Sequence, residues 1–70
     1  MPEVHANMPG KLSRFAVAVG DRVKRVEIVA TLEAMKTPVD VGSPVEGTVT
    51  ELRGNPGNIV TPDTALVLIG

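Results

Sequence analysis

The chain contains no cysteine, tryptophan or tyrosine, and Phe15 is its only aromatic residue. Without cysteine there are no disulfides, no thiolate nucleophiles and no thiolate zinc sites. A single aromatic ring makes no stacking platform for single-stranded nucleic acid. Neither sign of charge dominates: seven basic residues against eight acidic ones leave a formal net charge of −1. Such a balance supplies no field to gather DNA, RNA or anionic lipid. There is no run of about 18 apolar residues to span a membrane, and no basic-then-apolar leader for export, so the cytoplasm is the expected location. Seventy residues are expected to form one domain over 1–70, either a complete small protein or a unit cut from a longer one. A chain this short buries only about 60% of its unfolded surface.

What is present is aliphatic and heavily punctuated. Hydrophobic residues make up 43% of the chain. Pro9-Gly10, Gly20, Pro38, Gly42, Pro44, Gly47, Gly54, Pro56-Gly57 and Pro62 interrupt the sequence too often for a helix-length 3.6-residue pattern. The segments between them are strand-sized and rich in Val, Ile and Thr. Val4, Ala6 and Met8 alternate with polar residues, predicting a first strand with one buried face. Ile28, Ala30, Leu32 and Ala34 form one face of a longer strand, and Val39 and Val41 flank Asp40. In 65–69 the polar-out alternation weakens, which predicts burial on both sides. The class is all-β.

The two halves also repeat. Residues 8–33 align on 45–70 without a gap at an offset of 37. Gly10, Gly20 and Val23 fall on Gly47, Gly57 and Val60, and Leu12, Phe15, Val29 and Leu32 on Val49, Leu52, Leu66 and Ile69. Leu12 and Phe15 are three apart, as are Val49 and Leu52, a spacing that puts side chains on opposite faces of an unbroken strand. Each half therefore calls for a bulge or a bend, at Ser13-Arg14 and at Thr50-Glu51. The expected architecture is two similar sheets packed face to face about a pseudo-twofold axis, with Lys36 near that axis at one end. Its leading core residues are Leu12, Phe15, Leu32, Val49, Leu52 and Ile69. The chain termini should pair at the end opposite the junction of the halves.

Most polar features have an ordinary explanation. His5 is a lone histidine on a polar strand face, so no metal site is expected. Asp21, Asp40, Glu46 and Asp63 are scattered and offer no paired-carboxylate spacing for acid–base catalysis. Gly54-Asn55-Pro56-Gly57-Asn58 lacks the lysine and helix of a phosphate loop and reads as a turn. Lys24-Arg25 reads as a solvated corner. No catalytic residue is expected.

The exception is Lys36, preceded by Glu33-Ala34-Met35 and placed where the first half hands over to the second. A duplicated β body with a lysine at its central bend serves as a stalk that presents one amine. A two-residue hairpin there would centre on Met35-Lys36 and require φ > 0 at residues that are neither Gly, Asn nor Asp. Such strain fits a functional turn. Pro38 removes a backbone donor just after the tip, as tolerated at an edge or a strand start.

Met8-Pro9-Gly10, Val19-Gly20-Asp21-Arg22-Val23, Leu32-Glu33-Ala34-Met35-Lys36 and Ser43-Pro44-Val45-Glu46-Gly47-Thr48-Val49 together resemble the biotinyl/lipoyl attachment domain family. The resemblance covers essentially the whole chain. It implies an all-β barrel-sandwich hybrid, a flattened barrel or sandwich of two four-stranded antiparallel sheets, with the modified lysine on a protruding hairpin. Glu-Ala-Met-Lys resembles the biotin branch; the lipoyl branch carries Asp-Lys-Ala. The implied role is biotin carboxyl carrier, with biotin joined covalently to Lys36 by a biotin protein ligase that recognises Glu33, Ala34, Met35 and Thr37. The carrier would then serve a biotin carboxylase and a carboxyltransferase without making bonds itself. Two departures stand out. Thr37-Pro38 replaces the Met-Glu that follows the lysine in the biotin branch. Arg25-Val26-Glu27 lacks the family's glycine, so that turn is expected to differ in type because a β-branched residue resists φ > 0. The rival roles are a lipoyl carrier and an unmodified barrel-sandwich interaction module.

Overall fold

A computed structural model describes residues 2–70. Its strands are β1 (Glu3–His5), β2 (Gly10–Phe15), β3 (Arg22–Val23), β4 (Ile28–Ala34), β5 (Thr37–Gly42), β6 (Gly47–Leu52), β7 (Ile59–Val60) and β8 (Ala65–Ile69). They form two four-stranded sheets, ordered β1-β8-β6-β3 and β5-β4-β2-β7, with every pairing antiparallel. The short third strand of each half pairs in the other half's sheet: β3 on β6, and β7 on β2. The halves are interlocked rather than stacked. No helix long and apolar enough to cross a membrane occurs among the described residues.

The repeat reaches further than the sequence suggested. The thirteen buried apolar residues and buried Ser43 resolve into seven pairs at the offset of 37. These are Val4/Val41, Ala6/Ser43, Leu12/Val49, Val23/Val60, Val29/Leu66, Ala30/Val67 and Leu32/Ile69. Hydrogen bonds repeat as well. The Gly20 and Asp21 backbone exchanges bonds with Val49, each of 2.8 Å, and Gly57 and Asn58 do the same with Leu12 at 2.7 and 2.8 Å. Ala16 N–H donates to Val29 O at 2.8 Å, and Arg53 N–H to Leu66 O at 2.8 Å. Even turn capping is shared: Asp21 Oδ2 accepts from the Ala18 N–H, and Asn58 Oδ1 from the Asn55 N–H.

Bulges account for the irregular hydrophobic spacing. Ser13 is the extra residue where β2 meets β4, and Thr50 is its counterpart where β6 meets β8. Leu12 and Val49 are buried, while Phe15 and Leu52 are half-buried against the same core. Second bulges lie at Val29 and Leu66. They correct two readings. Ile28 is 39% exposed while Val29 and Ala30 are both fully buried, because the bulge breaks the alternation between them. The weak alternation of 65–69 has the same origin, since consecutive Leu66 and Val67 face inward. Met8 is also corrected: β1 ends at His5 and Met8 is exposed, beyond the reach of the alternation.

Gly10 and Gly47 are required by close approach. A Cβ on Gly10 would stand 2.9 Å from Glu33 O. One on Gly47 would stand 2.9 Å from Gly70 O and 2.5 Å from Ile69 Cγ2. Since 33 and 70 are also 37 apart, both glycines answer the same crowding. The termini meet as expected, with Ile69 N–H donating to Pro2 O at 3.0 Å. They occupy the place that pseudo-symmetry gives the β4–β5 turn at the other end.

Val26 does not behave as expected. It adopts φ 65° despite its branched Cβ and is 74% exposed. Its N–H donates to Ser43 O at 2.7 Å, Ser43 N–H donates to Glu27 O at 2.9 Å, and Glu27 N–H closes the turn on Lys24 O at 3.0 Å. Val26 O lies 3.1 Å from where a Cβ of Gly42 would be. The flanking bonds thus hold the peptide in a conformation that the side chain disfavours.

Candidate functional site

Lys36 sits at the bend between β4 and β5. Ala34 and Thr37 close the hairpin as a register pair, leaving Met35 and Lys36 as its two loop residues, with φ 52° and 63°. Two successive left-handed residues make the type I′ turn, whose twist matches that of the strands it joins. Neither side chain favours this conformation. The six-pair register of β4 with β5 imposes it.

The structure places all five residues singled out by sequence on this one feature. Met35 is 98% exposed; Lys36, Thr37 and Glu33 are exposed, and Ala34 is half-buried at the top of the stem. Pro38 is accommodated for a geometric reason. The closing pair Ala34/Thr37 is hydrogen-bonded in such a hairpin, so the next pair, Glu33/Pro38, is not. The missing donor would have pointed to the open side of β5, which is an edge strand.

Three features of the site had no signal in the sequence. Lys11 stands opposite Glu33 across the β2–β4 ladder, putting a positive side chain on the same exposed face. That register depends on the bulge at Ser13 and is invisible in linear spacing. Asn7 Nδ2 donates to Asp40 O at 3.2 Å, and Thr31 Oγ1 donates to Asp40 Oδ1 at 3.4 Å. These two contacts brace the hairpin stem below the turn.

The turn presents the Lys36 side chain to solvent. No group of three or more His, Cys, Asp or Glu side chains able to hold a metal occurs among the described residues. His5 lies among strands β1 and β8 rather than near the turn. Its Nε2 contacts Glu3 Oε1 at 2.9 Å and its Nδ1 contacts Pro62 O at 2.8 Å. The Glu3 carboxylate first, and the Pro62 carbonyl second, raise the imidazole's pKa above its ordinary value. Lys24 and Arg25 are the first two residues of the Val26 turn, at the opposite end of β4 from Lys36.

The family described as "Biotin-requiring enzyme", which unites biotin and lipoyl attachment domains, matches residues 2–69. The chain is 40% identical over 60 residues to the dihydrolipoyllysine-residue succinyltransferase component of the mitochondrial 2-oxoglutarate dehydrogenase complex of Saccharomyces cerevisiae, covering 86% of this chain and 13% of that protein. It is 39% identical over 62 residues to the alpha subunit of mitochondrial methylcrotonoyl-CoA carboxylase of Dictyostelium discoideum, covering 89% and 9%. The crystal structure of Kluyveromyces lactis urea carboxylase contains a similar fold, with TM-score 0.91 and 28% identity over 99% of this chain and 6% of that one. The chain thus spans a small fraction of the relatives it matches. Duplicated all-β body, lysine turn and matched sequence agree: the chain belongs to the biotinyl/lipoyl attachment domain family, whose members are carrier domains of enzyme complexes and not catalysts.

Proposed function

We propose that the chain is a biotin carboxyl carrier in which Lys36 Nζ is acylated by a biotin protein ligase. The observation that carries the reading is an exposed lysine at the second left-handed position of the β4–β5 turn, directly after Glu33-Ala34-Met35. The residues present fit the group. Lys36 and both of its neighbours are exposed, so an amide forms on Nζ without displacing packed side chains. Acylation converts an ammonium to a neutral amide, taking the formal net charge from −1 to −2. Attached biotin would carry a carboxyl group between a biotin carboxylase and a carboxyltransferase. The chain's own part is positional. A braced β stem fixes the base of the arm while the lysine side chain and its acyl extension swing. Glu33, Ala34, Met35 and Thr37 form the surface the ligase meets.

The test is incubation with a biotin protein ligase, biotin and ATP, followed by intact mass and peptide mapping. One biotinyl group on Lys36 is expected, absent in Lys36→Arg, whose thermal midpoint should match the parent's. Complete ligase reaction with no adduct on Lys36 overturns the reading. A second reading, a lipoyl carrier for an acyl-transfer complex, draws on the similarity to the yeast succinyltransferase component. A lipoate ligase in the same assay separates the two by the mass of the adduct.

A further inference from the structure

Two-electron oxidants find few targets on this protein. It has no cysteine, tryptophan or tyrosine, and three methionines, of which Met1 lies outside the described residues. Met8 is 39% exposed and Met35 is 98% exposed. Oxidation of a thioether follows exposure, so Met35 should react before Met8. It is also the immediate neighbour of Lys36, in a turn that aims both side chains away from the β body.

We propose that Met35 is a reversible oxidation site whose sulfoxide blocks acylation of Lys36. The proposal rests on Lys36 being the acyl acceptor. The oxidant is a peroxide. A lone pair of Met35 Sδ attacks one peroxide oxygen, the O–O bond breaks as the S–O bond forms, and the other oxygen departs as water with both hydrogens. Sulfur gives up the two electrons that the peroxide gains. In reversal, two reductase thiols become a disulfide and the sulfoxide oxygen leaves as water.

Position decides the consequence. A side chain this exposed has almost no packing to lose, so its oxidation leaves the fold intact. Recognition is different. An enzyme that brings an activated acyl group to Lys36 Nζ must cover the adjoining residue, and a pliable thioether suits an apolar contact. The sulfoxide is polar and accepts hydrogen bonds, so covering it without a donor is unfavourable. Oxidation would thereby hold the carrier in its unmodified state while its scaffold persists.

The experiment treats the full chain with hydrogen peroxide, maps oxygen uptake by peptide mass, and measures initial acylation rates with a biotin protein ligase and, in parallel, a lipoate ligase. Met35 should gain one oxygen before Met8. The acylation rate should then fall roughly tenfold or more, the scale set by covering an uncompensated polar group. The thermal midpoint should be unchanged, and methionine sulfoxide reductase should restore the rate. In Met35→Leu, whatever its own starting rate, the ratio of treated to untreated rates should be one. Prior oxidation of Met8, equal rates for oxidised and untreated chain, or persisting peroxide sensitivity in Met35→Leu overturns the proposal and leaves the role of Lys36 standing. If the untreated chain accepts neither group, both fall together.

Discussion

Residues 24–27 and 61–64 are pseudo-symmetric turns built on the same bonds and from different residues. In each, the fourth N–H donates to the first carbonyl, at 3.0 Å for Glu27 to Lys24 and 2.8 Å for Thr64 to Thr61. In each, the fourth side chain accepts from the first N–H, through Glu27 Oε1 at 3.0 Å or Thr64 Oγ1 at 3.3 Å. They part at the third residue. Val26 is left-handed, whereas Asp63 is not among the residues with positive φ, and it follows Pro62, whose ring favours the second position of a right-handed turn. The neighbours differ too. Gly42 lies beside Val26 and has no side chain, while its counterpart His5 binds Pro62 O. Symmetry of the core is thus compatible with local turns of different hand. What the core demands is that the chain reverse at that point, not how it does so.

Paired substitutions at equivalent positions test how far the two halves share one environment. The largest effect should come from Leu32→Ala and Ile69→Ala, equivalent and fully buried. Each should cost about 2–5 kcal/mol in chemical denaturation, a large share of the roughly 5–15 kcal/mol typical of a folded domain. If one costs less than about 1 kcal/mol, the two sites do not share an environment. Gly10→Ala and Gly47→Ala come next, at about 1–3 kcal/mol each from overpacking. Gly47 should be the worse, since its Cβ would meet Ile69 Cγ2 at 2.5 Å as well as a carbonyl at 2.9 Å.

Val26→Gly should stabilise by about 1 kcal/mol, the relief of a left-handed conformation less glycine's greater entropy loss. Asp63→Gly should instead destabilise slightly, and a gain at both positions would mean that the turns are alike after all. The smallest effect concerns pH. Protonated His5 donates to both Glu3 Oε1 and Pro62 O, and its pKa is raised on folding. Its contribution is therefore fully present below the unfolded value of 6.5 and fades as pH climbs through the higher folded value. Thermal midpoints followed across that window should show a slight decline that His5→Gln lacks.

The sequence showed the bulges at Ser13 and Thr50 because each half repeats the same three-residue spacing, and an irregularity seen twice stands out from noise. It pointed to the left-handed Met35-Lys36 turn because Lys36 falls where the first half hands over to the second, and a two-residue hairpin centred there requires φ > 0 at both residues. Ile28 and Val29 were misread for want of such a signal: their bulge depends on register with β5, a property of two segments. Val26 was misread for another reason. Local preference spoke against φ > 0, and the flanking bonds to Ser43 O and Lys24 O outweigh it. Lys11 beside Glu33 lay equally out of reach, because two residues 22 apart in sequence become neighbours only when a ladder forms.

The exchange of third strands has a kinetic corollary. Neither β2 nor β6 acquires its outer neighbour until residues from the far half arrive, so no half can fold ahead of the other and wait. Chains governed by such remote pairings cross their barrier in milliseconds to seconds rather than microseconds. A partly folded form with a finished lysine hairpin is then scarcely populated, and a modifying enzyme encounters either the whole body or a bare chain.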